Sequence, residues 1–131
     1  MADPGVAALG RTVLVIDDDV SVRTVTVRAL NLYGFTTLQA EDGIQGLEVF
    51  HANRPEIGCV LVDLTMPRLD GPATVKEMQR VAPETRVVLM TGYAEDDARE
   101  RFQGLLVSAF LEKPFDLPRL RAAVSVAMES R

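Results

Sequence analysis

Residues 13–19 read Val-Leu-Val-Ile-Asp-Asp-Asp, four apolar residues running directly into three carboxylates. The apolar run, opened by Thr12, has the length and composition of a strand buried on both faces of a parallel sheet. The carboxylates at its end raise a physical question. Two unit charges about 4 Å apart repel by about 4 kcal/mol near a protein surface. A bound cation, a helix N-terminus or plain exposure must offset that repulsion. Adjacent residues of a strand point to opposite faces. Asp17, Asp18 and Asp19 are therefore not equivalent, and Asp19 is expected to turn toward the helix that follows.

The same grammar recurs along the chain. Val20 to Leu32 reads as a helix with Val22, Val25, Ala29 and Leu32 near one stripe, closed by Gly34. Phe35 to Gln39 is a weak second strand. Ile44, Leu47 and Phe50 mark a second helix that ends at Asn53 and Pro55. Cys59 to Val62 is another apolar run, again delivered onto an aspartate, Asp63. Met66 to Gly71 has turn chemistry, and Pro72 to Ala82 is a helix with Val75, Met78 and Val81 or Ala82 inward. Arg86 to Met90 is a fourth strand, Glu95 to Gln103 a charged helix, and Ala109 to Leu111 a fifth strand. Asp116 caps a last helix whose buried face is Leu117, Leu120, Val124 and Ala127, with Pro118 in its first turn. Residues 1–10, rich in Ala, Gly and Pro, read as a flexible tail or linker and residues 11–131 as one domain.

Strands alternating with helices predict an α/β fold, a doubly wound parallel sheet of five strands. The pattern leaves the strand order open. In the order 2-1-3-4-5, ligands bind where strands 1 and 3 diverge, beyond their carboxyl ends. Asp17, Asp18 and Asp63 would meet there, joined by Thr91 and Gly92 after strand 4 and by Lys113 after strand 5. Carboxylates with water suit a hard cation such as Mg²⁺. An ionised aspartate beside such a cation, a hydroxyl and an ammonium is a candidate phosphoryl acceptor.

Composition excludes several classes. The chain has 131 residues, 47% apolar and 25% charged, with net charge −5. An acidic chain without a basic stripe is a poor nucleic-acid binder. No apolar run reaches the length of about 20 residues that spans a membrane, and MADPGVAALG lacks the features of a secretory signal. Cys59 is one cysteine in an apolar run and reads as a buried hydrophobe in a reducing cytoplasm. His51, the one histidine, rules out a multi-histidine metal site. It reads as a surface or capping residue rather than a phosphotransfer histidine. The run Glu95 to Arg101 reads as a solvated helix face.

Four motifs in order, VLVIDDD, LVDLTMPRLDG at 61–71, LMTGYAE at 89–95 and AFLEKPF at 109–115, closely resemble the receiver domain of bacterial two-component response regulators. The resemblance covers Arg11 to Met128. It implies a (βα)5 flavodoxin-like sheet in the order 2-1-3-4-5 and a signalling domain rather than an enzyme. It implies Asp63 as phosphoacceptor. Asp18, Asp63 and the backbone carbonyl of Thr65 would be direct Mg²⁺ ligands, with Asp17 acting through water and Mn²⁺ able to substitute. Thr91 and Lys113 would contact the phosphoryl oxygens, and Phe110 would be the switch aromatic. Thr65 and Tyr93 would tune the lifetime of the phosphoaspartate, with bulky Tyr93 slowing hydrolysis. A cis bond at Lys113-Pro114 is common in the family. The implied partner is a sensor histidine kinase or a histidine phosphotransfer protein, in the cytoplasm, without direct nucleic-acid contact or membrane insertion. A phosphorylation-dependent dimer is compatible with it. LMTGYAE and FLEKPF look like receivers attached to hybrid sensor kinases, and a single-domain regulator is the other context.

Three rivals follow from the same residues. Asp17-Asp18-Asp19-Val20-Ser21 fits a haloacid-dehalogenase-like phosphatase with Asp17 as nucleophile, but that reading does not account for LVDLTMPRLDG. A flavin module on the same fold would need a Gly-rich phosphate loop, which is not evident. A phosphorylation-independent adaptor would not need the full set of acids, threonine and lysine.

Overall fold

The structure is a computed structural model; it describes residues 10–64, 66, 69–92, 95–102 and 104–129, with only the backbone of 95 and 96. Five strands alternate with five helices: β1 (Thr12–Ile16), α1 (Val20–Leu32), β2 (Thr36–Ala40), α2 (Gly43–Asn53), β3 (Ile57–Asp63), α3 (Gly71–Val81), β4 (Val87–Thr91), α4 (Glu95–Arg101), β5 (Ala109–Glu112) and α5 (Leu117–Glu129). All pairings are parallel and the order is β2-β1-β3-β4-β5, as the receiver resemblance implies. The expected tail falls outside the described residues except for Gly10, whose amide donates to the Pro55 carbonyl at 3.2 Å.

Alternation along the strands builds two cores. Leu14, Ile16, Val60, Val62 and Leu89 face Phe50, Val75, Met78 and Phe102 on the side of α2, α3 and α4. Val13, Val15, Leu61, Val88 and Leu111 face Ala29, Leu30, Leu120 and Val124 on the side of α1 and α5. Every residue of β1 and β4 is buried, which is why both read as unbroken apolar runs.

Two helical faces differ from the sequence reading. In α1 the buried residues are Thr26, Ala29 and Leu30, while Val25 and Leu32 are 59% and 84% exposed. Apolar side chains encircle most of this helix, so its pattern does not single out one stripe. Thr26 can face inward because its hydroxyl donates to the Val22 carbonyl at 2.7 Å. In α5, Leu117 is 43% exposed and Ala123 takes a place in the buried face. Leu117 is the first residue of the helix. In α2, Phe50 is buried, Leu47 half-buried and Ile44 exposed. Glycine supplies the closest approach there, since a Cβ on Gly46 would lie 2.5 Å from Ile16 Cδ1.

Aspartates start four of the helices, α1, α2, α3 and α5. Asp19, Asp42 and Asp70 accept hydrogen bonds from Val22, Gln45 and Ala73 amides at 3.1, 2.8 and 2.9 Å, and Asp116 accepts from Arg119 at 2.9 Å. Each satisfies an amide left open in a helix's first turn.

Candidate functional site

Parallel winding brings the carboxyl ends of β1, β3, β4 and β5 to one edge. Asp17, directly after β1, is fully buried. Its Oδ1 accepts the Asp19 amide at 2.9 Å, and its Oδ2 accepts the Lys113 ammonium at 3.1 Å. Asp18 points outward and is exposed. Asp19 leaves the cluster to cap α1, as its place in the strand predicts.

Asp63 closes β3, opposite Met90 in the register. Its side chain is 13% exposed, and its Oδ2 accepts from Lys113 Nζ at 3.3 Å. Carboxylate oxygens of Asp17, Asp18 and Asp63 all lie within 4.8 Å of one another. Three hard oxygen donors from two strand ends, one of them open to solvent, are the donor set a small divalent cation takes.

Lys113 is delivered by β5. Its amide donates to the Thr91 carbonyl at 2.7 Å, which ties the end of β5 to the end of β4. The Lys113-Pro114 bond is cis. Thr91 is buried at the end of β4, beside Glu112 in the register. Gly92 is exposed, and a Cβ built on it would meet nothing within 4 Å. Phe110 is half-buried against the core, with the Arg99 guanidinium 4.4 Å from its ring centroid. Thr65 and Tyr93 lie outside the described residues, as do Pro67 and Arg68 of the same motif.

The electrostatics of the cluster follow from this placement. Burial pushes the Asp63 carboxyl up to about 6. Lys113 pulls it down, while Asp17 and Asp18 push it further up. For Lys113, burial favours the neutral amine, but Asp63 and Asp17 outweigh it and hold the ammonium above the ordinary lysine value. One positive charge thus offsets part of the crowding among three acids.

Two residues that build the site were not singled out from the sequence. Arg23 donates from Nη1 to the Asp17 carbonyl at 2.6 Å and from Nε to Gln39 Oε1 at 3.2 Å, fastening the β1–α1 turn to β2. Its signal was its place one turn past the Asp19 cap, which aims it back at the strand ends. Gly71 opens α3 against the end of β3. A Cβ there would stand 2.6 Å from the Asp63 carbonyl oxygen and 2.9 Å from that of Leu64. His51, by contrast, stands at the far end of α2, exposed, edge-on to Phe50.

Comparison with known proteins agrees with this geometry. The response regulator receiver domain family matches residues 13–125. Sensor kinase CckA of Brucella abortus (strain 2308) is 33% identical over 120 residues, covering 92% of this chain and 13% of that protein. Sporulation initiation phosphotransferase F of Bacillus subtilis (strain 168) is 32% identical over 116 residues, covering 88% of this chain and 92% of that one. Among solved structures, a response regulator receiver domain protein from Clostridium thermocellum superposes with a TM-score of 0.84 at 27% identity, covering 90% of this chain and 94% of that one. Among the described residues no helix is long and apolar enough to cross a membrane. This chain's doubly wound sheet in the order 2-1-3-4-5, with acids and a lysine gathered at its carboxyl edge, accords with those matches: the chain belongs to the response regulator receiver domain family and is a receiver domain of two-component phosphorelay signalling.

Proposed function

We propose that Asp63 accepts a phosphoryl group from a phosphohistidine on a sensor kinase or a histidine phosphotransfer protein. The observation that carries this reading is the ammonium of Lys113 lying between Asp17 and Asp63, with Asp18 open to solvent beside them. An Asp63 carboxylate oxygen attacks phosphorus, the bond from phosphorus to the histidine nitrogen breaks, and the imidazole leaves. Lys113 supplies one positive charge to the transferred oxygens, and the Thr91 hydroxyl is the neutral donor at the end of the adjoining strand.

Asp17, Asp18 and Asp63 suit Mg²⁺, or Mn²⁺ in its place. Bound there, the cation would neutralise charge that develops on the phosphoryl oxygens. Both oxygens of Asp17 are already engaged by the Asp19 amide and Lys113, which supports Asp18 and Asp63 as direct ligands and Asp17 as a partner through water. The same engagement and full burial of Asp17 count against a phosphatase reading with Asp17 as nucleophile.

Phosphorylation adds about −1.5 to −2 charge at Asp63. Charge-assisted hydrogen bonds from Thr91 and Lys113 are worth about 1.5–3 kcal/mol each, and two approach the roughly 5.5 kcal/mol that inverts a 1:99 population. Phe110, half-buried on the neighbouring strand, is the side chain that would follow Thr91 inward. The readout face is then β5 with α4 and α5. Residues 11–131 form the receiver unit, working in the cytoplasm, and similarity to a sensor kinase supports a hybrid-kinase context. The deciding experiment is phosphotransfer from a labelled phosphohistidine donor to the wild-type chain and to Asp63→Asn. Label that survives alkali and hydroxylamine, or that persists on Asp63→Asn, would exclude this acceptor.

A further inference from the structure

The opposite edge of the sheet holds a second cavity, of about 500 Å³, where α2 ends, β3 begins and α3 hands over to β4. It takes in the first residues of β3, and from Cys59 in its lining the strand runs four residues, about 13 Å, to Asp63 in the acid cluster. Its lining combines an apolar part, including Phe50, Ile57 and Ala82, with a rim of His51 and the cationic Arg54 and Arg86 against one carboxylate, Glu84. Arg54 is exposed and Arg86 half-exposed, and neither makes an ion pair or side-chain hydrogen bond among the described residues. In a chain of net charge −5, two uncommitted guanidinium groups and an imidazole around one recess are a local reversal of sign. The Arg86 charge reaches the cavity floor: it opposes the rise to about 12 that burial imposes on the Cys59 thiol.

We propose that this cavity binds a small phosphate monoester with an apolar organic body, of the size and kind of a nucleoside monophosphate, with the phosphate held by Arg54 and Arg86. The guanidinium fork matches phosphate oxygens two at a time, and two such forks beside an imidazole suit a dianion better than a single carboxylate. The volume lies within the range of about 300–1,000 Å³ usual for small-ligand sites. The apolar lining gives the organic body a surface that inorganic phosphate leaves unused.

The test is a titration of the ¹⁵N-labelled chain in Mg²⁺-free buffer with AMP, inorganic phosphate and adenosine in turn. The expected result is saturable movement of the Arg54, Ile57, Gly58, Thr85 and Arg86 amides with AMP, and weaker movement of the same amides with phosphate. Adenosine should bind about tenfold or more weakly than AMP. Arg54→Gln and Arg86→Gln should each weaken AMP binding by about tenfold, the loss of one charge-assisted hydrogen bond. Both side chains reach solvent, so the variants should keep the wild-type far-UV spectrum. The site is overturned if AMP on the order of 10 mM gives no saturable movement at these amides. It is equally overturned if adenosine binds as tightly as AMP, or if folded Arg54→Gln/Arg86→Gln binds AMP like the wild type.

Discussion

Lys113 donates to Asp63 across 3.3 Å and joins the end of β5 to the end of β3, fifty residues apart in sequence. The same ammonium also reaches Asp17, so removing it leaves two partly or fully buried acids without their cation. Lys113→Ala is expected to lift the Asp63 pKa above its value of about 6, because Lys113 lowers it both by charge and by hydrogen bond. Carboxyl-carbon NMR against pH measures this directly. An Asp63 titration that stays where it was would show that the lysine does not act on the acceptor. The variant should also lose about 3 kcal/mol of stability at neutral pH, the usual cost of stripping one partner from a buried pair.

Asp63→Asn should stabilise the metal-free fold at neutral pH. The folded-state pKa of about 6 exceeds the ordinary aspartate value of 3.8, so the folded chain holds this proton more tightly than the unfolded one. Stability contributed by Asp63 therefore falls as pH rises from about 4 to about 6 and is flat beyond. The neutral amide avoids that loss. Urea unfolding of both proteins should show a gain on the order of 2 kcal/mol at pH 7 that vanishes near pH 4. A gain independent of pH would contradict the burial of an ionised Asp63.

Mg²⁺ held by this cluster would compete with protons for the Asp63 carboxylate. Affinity for Mg²⁺ measured by calorimetry should be constant above about pH 7 and fall as pH drops through the Asp63 value of about 6. At a hundredfold excess over its dissociation constant the ion should add about 2.7 kcal/mol to unfolding stability, and EDTA should remove that increment. An increment of the same size at pH 5 and pH 8 would place the ion elsewhere.

The three consecutive aspartates are expected to separate cleanly by mutation. Asp19→Ala loses the acceptor for the Val22 amide and should cost about 1 kcal/mol while leaving Mg²⁺ affinity near wild type. Asp18→Ala, at an exposed position, should leave stability nearly unchanged and abolish measurable Mg²⁺ affinity. Paired calorimetry and denaturation on the two variants would reveal the reverse pattern if their roles were exchanged.

Gly71→Ala places a methyl group 2.6 Å from the Asp63 carbonyl oxygen, against backbone that cannot swing aside. Overpacking of this kind costs about 1–3 kcal/mol. The variant should lower the urea midpoint and slow phosphotransfer to Asp63, since relief of the clash must displace the acceptor strand or the start of α3.

The sheet and its acid cluster were legible because parallel strands buried on both faces leave unbroken apolar runs, each delivering a polar residue to the same edge. Asp17, Asp18, Asp63, Thr91 and Lys113 could be located by that rule alone. The faces of α1 were not legible: Val20, Val22, Val25 and Val27 surround the helix, and only packing decides that Thr26 and Leu30 turn inward. Arg23 and Gly71 were missed for a different reason. Their work is done by contacts to backbone carbonyls, which leave no trace in a pattern of side-chain types.

The tight seat of Gly71 against residue 63 gives the end of β3 a stiff wall on one flank. If Asp63 is phosphorylated, displacement caused by the new acyl phosphate would meet resistance toward α3, where backbone abuts backbone. The path left to it would run across β4 to β5, where the half-buried ring of Phe110 lies 4.4 Å from the Arg99 guanidinium. The direction in which a signal would leave this domain would then be set by where the chain lacks compliance as much as by where it moves.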